Sequence, residues 1–219
     1  FFIVMIFNFS VAGLILSDCL DVLGSGVTGE KDNEFRGIWV IRHTLTTPKR
    51  VLKAVERCRE VGFNALFVQV RGRGDAYYKS RIVPRGEDIL EEFPDFDPLA
   101  LAIQEAHRTG LEIHAWVNVY LAWHPTERLP KSSNHLLVRH PEWFMVSKDG
   151  INMGRVDMSG KNSLSRGVEG RYLSPGIQEV REHILKVISE LVQGYDLDGL
   201  HLDYIRYPNV HYDFNLINR

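Results

Sequence analysis

Two periods of apolar and polar residues alternate along residues 35–219. Short runs with a period of two residues, typical of β-strands, occupy residues 36–42, 65–71, 112–120 and 198–208. Between them lie longer runs with apolar residues at helical spacing. These runs open at Thr47-Pro48, Asp97-Pro98 and Ser174-Pro175 and close at Gly62, Gly110 and Gly194. Strand, capped helix, glycine and strand therefore recur in order, which predicts parallel βα units.

The predicted strands have two unlike faces. In residues 112–120 the odd positions are apolar, and the even positions carry His114, Trp116, Asn118 and Tyr120. A doubly wound sheet, covered by helices on both sides, would be apolar on both faces. A face that becomes polar toward the C-terminal strand ends instead predicts an α/β fold of the (β/α)8 TIM barrel type. Since four such strands precede residue 219, we expect a barrel truncated to about its first four βα units.

The chain divides into three segments. Residues 1–20 begin with an apolar run typical of a secretory signal peptide, and the run is too short and interrupted to predict a membrane span. Residues 16–19, Leu-Ser-Asp-Cys, resemble a bacterial lipobox, so an ordinary cleaved signal and membrane anchoring through a lipidated Cys19 both stay open. Residues 21–34 are a polar linker, and residues 35–219 form the N-terminal half of the predicted barrel domain.

Composition narrows the class of protein. The 219 residues carry a net charge of -2, and this lack of a basic excess gives no reason to predict nucleic-acid binding. The two cysteines, Cys19 and Cys58, cannot form a disulfide framework. Cys58 lies in a helical pattern and is predicted to be a buried free thiol.

Asp203 is the residue whose position most needs a chemical explanation. It ends the fourth predicted strand on the interior face, where a carboxylate is costly unless it is paired or hydrogen-bonded. Arg71, Asn118 and His201, on neighbouring strands, are candidate partners. A carboxylate in a partly enclosed barrel mouth is typical of acid/base or nucleophilic chemistry on a glycosidic bond. The competing interpretation is a structural salt bridge to Arg206 or Arg71.

Several other residues are consistent with a sugar-binding site, and for some of them a structural role is an alternative. Aromatic residues near the strand ends suit stacking on sugar rings: Trp116, Tyr120, Trp123, Tyr204 and Tyr207. Gln69 and Arg71 either bind substrate or brace Asp203. Trp143 lies in a long connection, residues 121–173, that forms either a cleft wall or a packed surface loop. Interior histidines with an aspartate also suggest a metal-dependent hydrolase, but no H-x-H or H-E-x-x-H spacing is present, so we predict no metal.

An ordered set of motifs resembles the glycosyl hydrolase-like 10 family of bacterial envelope proteins. The motifs are FRGIWV, GFNALFVQVRGRGDAYYKS, FDPLALAIQEAHRTGLEIHAWVNVY, HPEWF, YLSPGIQEVREHI and DGLHLDYIRYP. The resemblance implies an exported TIM-barrel glycosidase, in the periplasm, in the outer membrane as a lipoprotein, or outside the cell. It also implies a catalytic carboxylate at Asp203 and substrate contacts near Arg71, Asp75, His114, Asn118 and Tyr120.

The sequence thus predicts a glycoside hydrolase acting on a cell-envelope polysaccharide, with peptidoglycan glycan strands as the expected substrate and no cofactor. Asp203 is the predicted catalytic residue. The predicted substrate-binding residues are Gln69, Arg71, Asp75, His114, Trp116, Asn118, Tyr120, His201, Tyr204, Arg206 and Tyr207. Two alternatives remain, a barrel that binds glycan without cleaving it and a metal-dependent hydrolase of envelope glycans.

Overall fold

The computed structural model describes residues 34–89, 93–125, 129–155 and 168–215. The predicted signal segment, Cys19 and all but the last residue of the predicted linker lie outside these residues. The strands are β1 (Gly37–Val40), β2 (Ala65–Arg71), β3 (Glu112–Asn118), β4 (Leu121–Trp123), β5 (Arg171–Tyr172) and β6 (Gly199–Asp203). The helices are α1 (Pro48–Glu60), α2 (Pro98–Arg108), α3 (Leu136–Arg139) and α4 (Gln178–Gly194). Short 3-10 turns occupy Arg42–Thr44, Pro141–Trp143 and Met153–Arg155.

The main sheet has four parallel strands in the order β1-β2-β3-β6. Spatial order therefore follows chain order. Because crossovers between parallel strands are right-handed, a sheet wound in one direction places all its helices on one side and leaves the other face without them. This is the winding of a (β/α)8 barrel, as predicted, and the described residues contain four of its parallel strands.

Helix boundaries agree with the predicted start and stop residues in most places. The side chain of Thr47 accepts a hydrogen bond from the Arg50 N–H at 3.3 Å, and Asp97 accepts one from Ala100 N–H at 3.1 Å. The prediction that Ser174-Pro175 opens α4 is wrong, because the Ser174 hydroxyl donates instead to Asp213, and the helix begins at Gln178. None of the helices in the described residues is long and apolar enough to cross a membrane.

The face of the sheet that meets the helices is the apolar core. Six side chains of β2 and β3 on this face are almost completely buried: Leu66, Val68, Val70, Ile113, Ala115 and Val117. Cys58 of α1 packs into the same core, as predicted, and burial raises the pKa of its thiol to about 11. The alternation in residues 198–208 also predicts that Leu200 and Leu202 anchor β6 on the helices. Leu200 is half-buried, but Leu202 is 42% exposed, so this prediction is wrong for Leu202. No helix within the described residues covers that position.

A β-bulge near the end of β2 changes which way the strand's last residue faces. Gln69 pairs with Trp116 and Arg71 pairs with Val117, so Val70 is an extra residue on β2. Arg71 therefore shares the helix-facing side of Val117. It is completely buried, and its Nη1 donates to the carbonyl oxygens of Asn118 and Val119. The prediction that Arg71 faces the barrel interior is wrong, because the bulge interrupts the period of two.

The interior face begins with an aromatic layer at the middle of the sheet. The Phe67 ring lies 5.1 Å from Trp39, 4.9 Å from His114 and 5.2 Å from His201, measured between ring centroids. Gly199 makes this packing possible, since a Cβ there would lie 2.3 Å from His114 Nδ1. The polar residues of β2, β3 and β6 follow this layer toward the C-terminal edge.

On α4, His183 is a half-buried titratable group on the helix-facing side of the sheet. Its Nε2 is buried and has no hydrogen-bond partner among the described residues. Burial, reinforced by the charge of Arg71, lowers the pKa of His183 from 6.5 to about 4. Between these pH values the folded protein binds fewer protons than the unfolded chain does.

We expect the free energy of unfolding to fall as the pH drops from about 6.5 to 4, because protonation of His183 favours the unfolded chain there. Above that window this contribution does not change with pH. Urea denaturation at pH 7, 5.5 and 4.5 measures it, and His183→Gln flattens the dependence. Substitution of the exposed His211 by Gln serves as the control. Equal pH slopes for wild type and His183→Gln would contradict the assignment.

Candidate active site

A cavity of about 280 Å³ opens at the C-terminal ends of the parallel strands. Four of the predicted substrate-binding residues line it: Gln69, Trp116, Asn118 and Tyr204. Its volume is close to the lower limit of ligand pockets, about 300 Å³. Position and lining thus agree with the strand-end site that the alternating pattern predicts.

Asp203 ends β6 and does not itself line the cavity, but it hydrogen-bonds to Trp116 and to the Tyr204 N–H, two residues that do. Its Oδ2 accepts a hydrogen bond from Trp116 Nε1 at 3.1 Å, and its Oδ1 accepts one from the Tyr204 N–H at 2.7 Å. Asn118 is its register partner on β3. Both donors are neutral, so they orient the carboxylate without placing a positive charge beside it.

The partners predicted for Asp203 are wrong within the described residues. Arg71 points to the helix layer, and neither Asn118 nor His201 forms a hydrogen bond with the carboxylate. The interpretation of Asp203 as a structural salt bridge is also wrong, because Arg206 pairs with Glu169 at 2.8 Å. In the part of the chain that the structure describes, no cation pairs with the Asp203 carboxylate.

Tyr204 follows Asp203 in a left-handed backbone conformation, with a φ of 52°. Such a conformation costs a non-glycine residue about 1 kcal/mol or more. It turns the chain sharply after β6, so that the Tyr204 N–H reaches the preceding carboxylate while its ring lines the cavity. The Tyr204 carbonyl accepts the N–H of Tyr120 at 3.3 Å, which fixes the turn to the end of β3.

Glu169 is a second carboxylate at the cavity, and sequence analysis missed it. Burial opposes its ionisation, but hydrogen bonds from Arg206 and Tyr172 lower the pKa of Glu169 below its ordinary value. Arg206 also lies over the Tyr204 ring, 5.2 Å from its centroid. Glu169 precedes β5 in the long connection, where no strand period marks it.

Three residues predicted to contact substrate lie away from the cavity. Arg71 is buried on the helix side, and Asp75, also buried, accepts the Arg73 N–H at 2.9 Å. His114 lies in the aromatic layer, with its Nε2 3.1 Å from Glu112. Their predicted contacts with substrate gain no support from this geometry.

The remaining predicted site residues lie around the cavity without lining it. His201 packs against Trp116, with ring centroids 6.3 Å apart, and burial lowers its pKa although the Asp203 charge opposes the shift. Tyr120 is half-buried and Tyr207 is 51% exposed.

The long connection contributes a wall through its two ends rather than through Trp143. Trp123 of β4 and Glu169 before β5 line the cavity, and β4 and β5 pair antiparallel. Trp143 instead stacks on His140, with centroids 4.0 Å apart, and faces His183 of α4. Trp143 is therefore a packed aromatic residue of a surface loop, the second of the two predicted alternatives, and does not line the cavity.

Sequence analysis also missed four basic residues at the cavity. Arg42 and His43 follow β1 and line it, as do Arg73 and His124. Arg42 had a visible signal, since it ends the first predicted strand at the same edge as Asp203. Within the described residues, no three His, Cys, Asp or Glu side chains are grouped so that they could hold a metal ion.

Comparisons with known proteins agree on one family. A family model described as "Glycosyl hydrolase-like 10" matches residues 34–218. The chain is 31% identical over 195 residues to "Glycosyl hydrolase YngK" of Bacillus subtilis (strain 168), covering 82% of this chain and 34% of that protein. It is 27% identical over 165 residues to "Glycosyl hydrolase DigH" of Escherichia coli (strain K12), covering 70% of this chain and 33% of that protein. The chain thus spans about a third of the length of these curated relatives.

Among solved structures, alpha-L-fucosidase isoenzyme 2 from Paenibacillus thiaminolyticus is similar with a TM-score of 0.57 and 20% sequence identity. The match covers 83% of this chain and 25% of that chain. This likeness shows the fold, a partial (β/α)8 barrel.

The placement of Arg71 yields a prediction that separates stability from binding. Arg71→Gln removes the donor to two buried carbonyl oxygens, so we expect the free energy of unfolding to fall by about 1–3 kcal/mol. Urea denaturation measures the loss. Arg57→Gln, on the exposed face of α1, is the matched control and should leave stability nearly unchanged. A variant as stable as wild type that has lost only glycan affinity would contradict this placement.

Proposed function

Because the chain belongs to the glycosyl hydrolase-like 10 family, we propose that the full-length protein hydrolyses glycosidic bonds of a cell-envelope polysaccharide. Asp203 is the proposed catalytic carboxylate. The observation that carries this proposal is the state of Asp203 at the strand ends: two neutral donors hold it, and no described cation pairs with it.

A carboxylate in this state suits two roles in glycoside hydrolysis. It acts either as the nucleophile or as a general acid/base, beside a transition state that carries positive charge on the sugar ring. An Arg or Lys partner would cancel the negative charge that stabilises this transition state. The indole N–H of Trp116 and the N–H of Tyr204 fix the oxygens instead.

The walls of the cavity suit a sugar. Trp116 and Tyr204 present aromatic surface, and Gln69, the register partner of Trp116 on β2, supplies an amide. Apolar ring faces stack on the C–H faces of sugars, while amides bind hydroxyl groups, a combination typical of small-molecule pockets. These contacts support polysaccharide as the binding partner.

Peptidoglycan glycan strands are the proposed substrate, and we place the protein outside the cytoplasm. The resemblance to a bacterial envelope family supports the first proposal, and the apolar run in residues 1–20 supports the second. An exported enzyme in the periplasm, in the outer membrane through a lipidated Cys19, or outside the cell would meet this substrate.

We expect Asp203→Asn in the full-length protein to lower kcat about 10²- to 10⁴-fold, while glycan strands still bind to the protein. The amide keeps the shape of the side chain but cannot act in proton transfer or as a nucleophile. Release of reducing ends from purified glycan strands measures turnover, and calorimetric titration measures binding.

Asp196→Asn is the matched control, since that side chain is 92% exposed and lies before β6, at the other end of the strand. Near-native turnover of Asp203→Asn would refute the catalytic assignment. If glycan strands bind to the wild-type protein but are not cleaved, the result would favour the glycan-binding alternative. Activity lost to a chelator and restored by a divalent metal would favour the metal-dependent alternative.

A further inference from the structure

Arg42 is a cation at the cavity that has no charged partner among residues 34–89, 93–125, 129–155 and 168–215. It begins the turn after β1, and its Nη1 lies 3.4 Å from Gln69 Oε1, which also accepts the Arg42 backbone N–H at 3.3 Å. The side chain lies across Gly72 of the β2 end. A Cβ at Gly72 would be 2.6 Å from Arg42 Cδ and 3.0 Å from Nη1, so the glycine is what allows this position.

Two carboxylates at or beside the cavity, Asp88 and Glu169, are already engaged by other residues. Asp88 accepts from His43 at 2.6 Å and from the Tyr77 hydroxyl, and Glu169 accepts from Arg206. Within the described residues, no carboxylate lies within ion-pairing distance of the Arg42 guanidinium. Arg42 and Arg206 thus differ, because only Arg206 has its charge balanced by the protein.

A preformed guanidinium with unused N–H donors in a concave site selects a planar anion. Its fork matches a carboxylate through two parallel hydrogen bonds, and holding the side chain in place beforehand lowers the entropy lost on binding. From this geometry, and resting on the proposed function, we propose that Arg42 binds a carboxylate carried by the glycan. The substrate class is then a polysaccharide with acidic sugar units, through a lactyl ether or a uronic acid.

The position of Arg42 separates this contact from bond cleavage. Arg42 follows β1 and Asp203 ends β6, with β2 and β3 between them. The guanidinium of Arg42 contacts Gln69 of β2, whereas the Asp203 carboxylate is held by Trp116 of β3 and the Tyr204 N–H. Arg42 therefore does not share the contacts of the proposed catalytic carboxylate and acts as a specificity-determining residue rather than a catalytic one.

The test compares two glycan strands that differ only in the charge of their acidic groups. Strands of alternating N-acetylglucosamine and N-acetylmuramic acid with free lactyl carboxylates, and the same strands after amidation, are titrated into full-length protein carrying Asp203→Asn to prevent cleavage. We expect amidation to weaken binding about 10- to 100-fold, the size of a charge-assisted contact. An oligoglucuronate and its amidated form are titrated in parallel to identify which acidic sugar carries the effect.

Two variants assign the effect to Arg42. Arg42→Gln, and separately Gly72→Ala, which displaces the guanidinium without removing it, should bring the ratio of the two dissociation constants close to 1. Arg57→Gln on α1 should leave the ratio unchanged. A parent protein that binds both forms equally, or an Arg42→Gln protein that keeps the ratio, would overturn the proposal.

The outcomes also separate this proposal from the hydrolase itself. If wild-type protein cleaves the strands but shows no preference for the carboxylate, the role of Arg42 is refuted and hydrolysis stands. If the preference depends on Arg42 but nothing is cleaved, the role of Arg42 stands and hydrolysis is refuted. If no strand binds, both are refuted.

Discussion

The right-handed crossover between successive parallel strands is the constraint on which the candidate site depends. It keeps the strands in chain order, β1-β2-β3-β6, and places their helices on one side. The other face is then free to carry side chains that a sheet covered on both sides would have to exclude. Along that face the residues pass from an aromatic layer around Phe67 to the polar set of Gln69, Asn118 and Asp203. The cavity follows from this winding together with the alternation of side chains.

The charge around Asp203 depends on which carboxylate the nearby Arg206 pairs with. Arg206 is close enough in sequence to neutralise Asp203, yet it pairs with Glu169 and lies over Tyr204. Asp203 is left with the Trp116 indole and a backbone N–H. Neutral donors fix the direction of the oxygens, and the proposed catalytic role depends on the absence of a described cation beside them. The Glu169–Arg206 pair thus contributes to the site by engaging the cation elsewhere.

Regular periods and helix caps could be predicted from the sequence, but local departures from them could not. The period of two placed Trp116, Asn118 and Asp203 correctly, because β3 and β6 pair without interruption. It misplaced Arg71, because nothing in the run ALFVQVR marks the extra residue of a bulge. Glu169 was missed for a different reason. It belongs to a connection whose path is set by the antiparallel pairing of β4 with β5 and not by a local pattern.

The distribution of charge along the cavity favours one register for an acidic glycan. Arg42 stands at the β1 side, whereas Asp203 and Glu169 stand toward β6 and the long connection. A glycan strand with a carboxylate on every second sugar gains a charged contact when that carboxylate binds to Arg42. A shifted glycan strand that brings the same group toward Asp203 meets a like charge, which repels it in a partly enclosed site. The attraction at β1 and the repulsion at β6 therefore act together, so that the register that satisfies Arg42 also keeps acidic substituents away from the carboxylate proposed to act on the glycosidic bond.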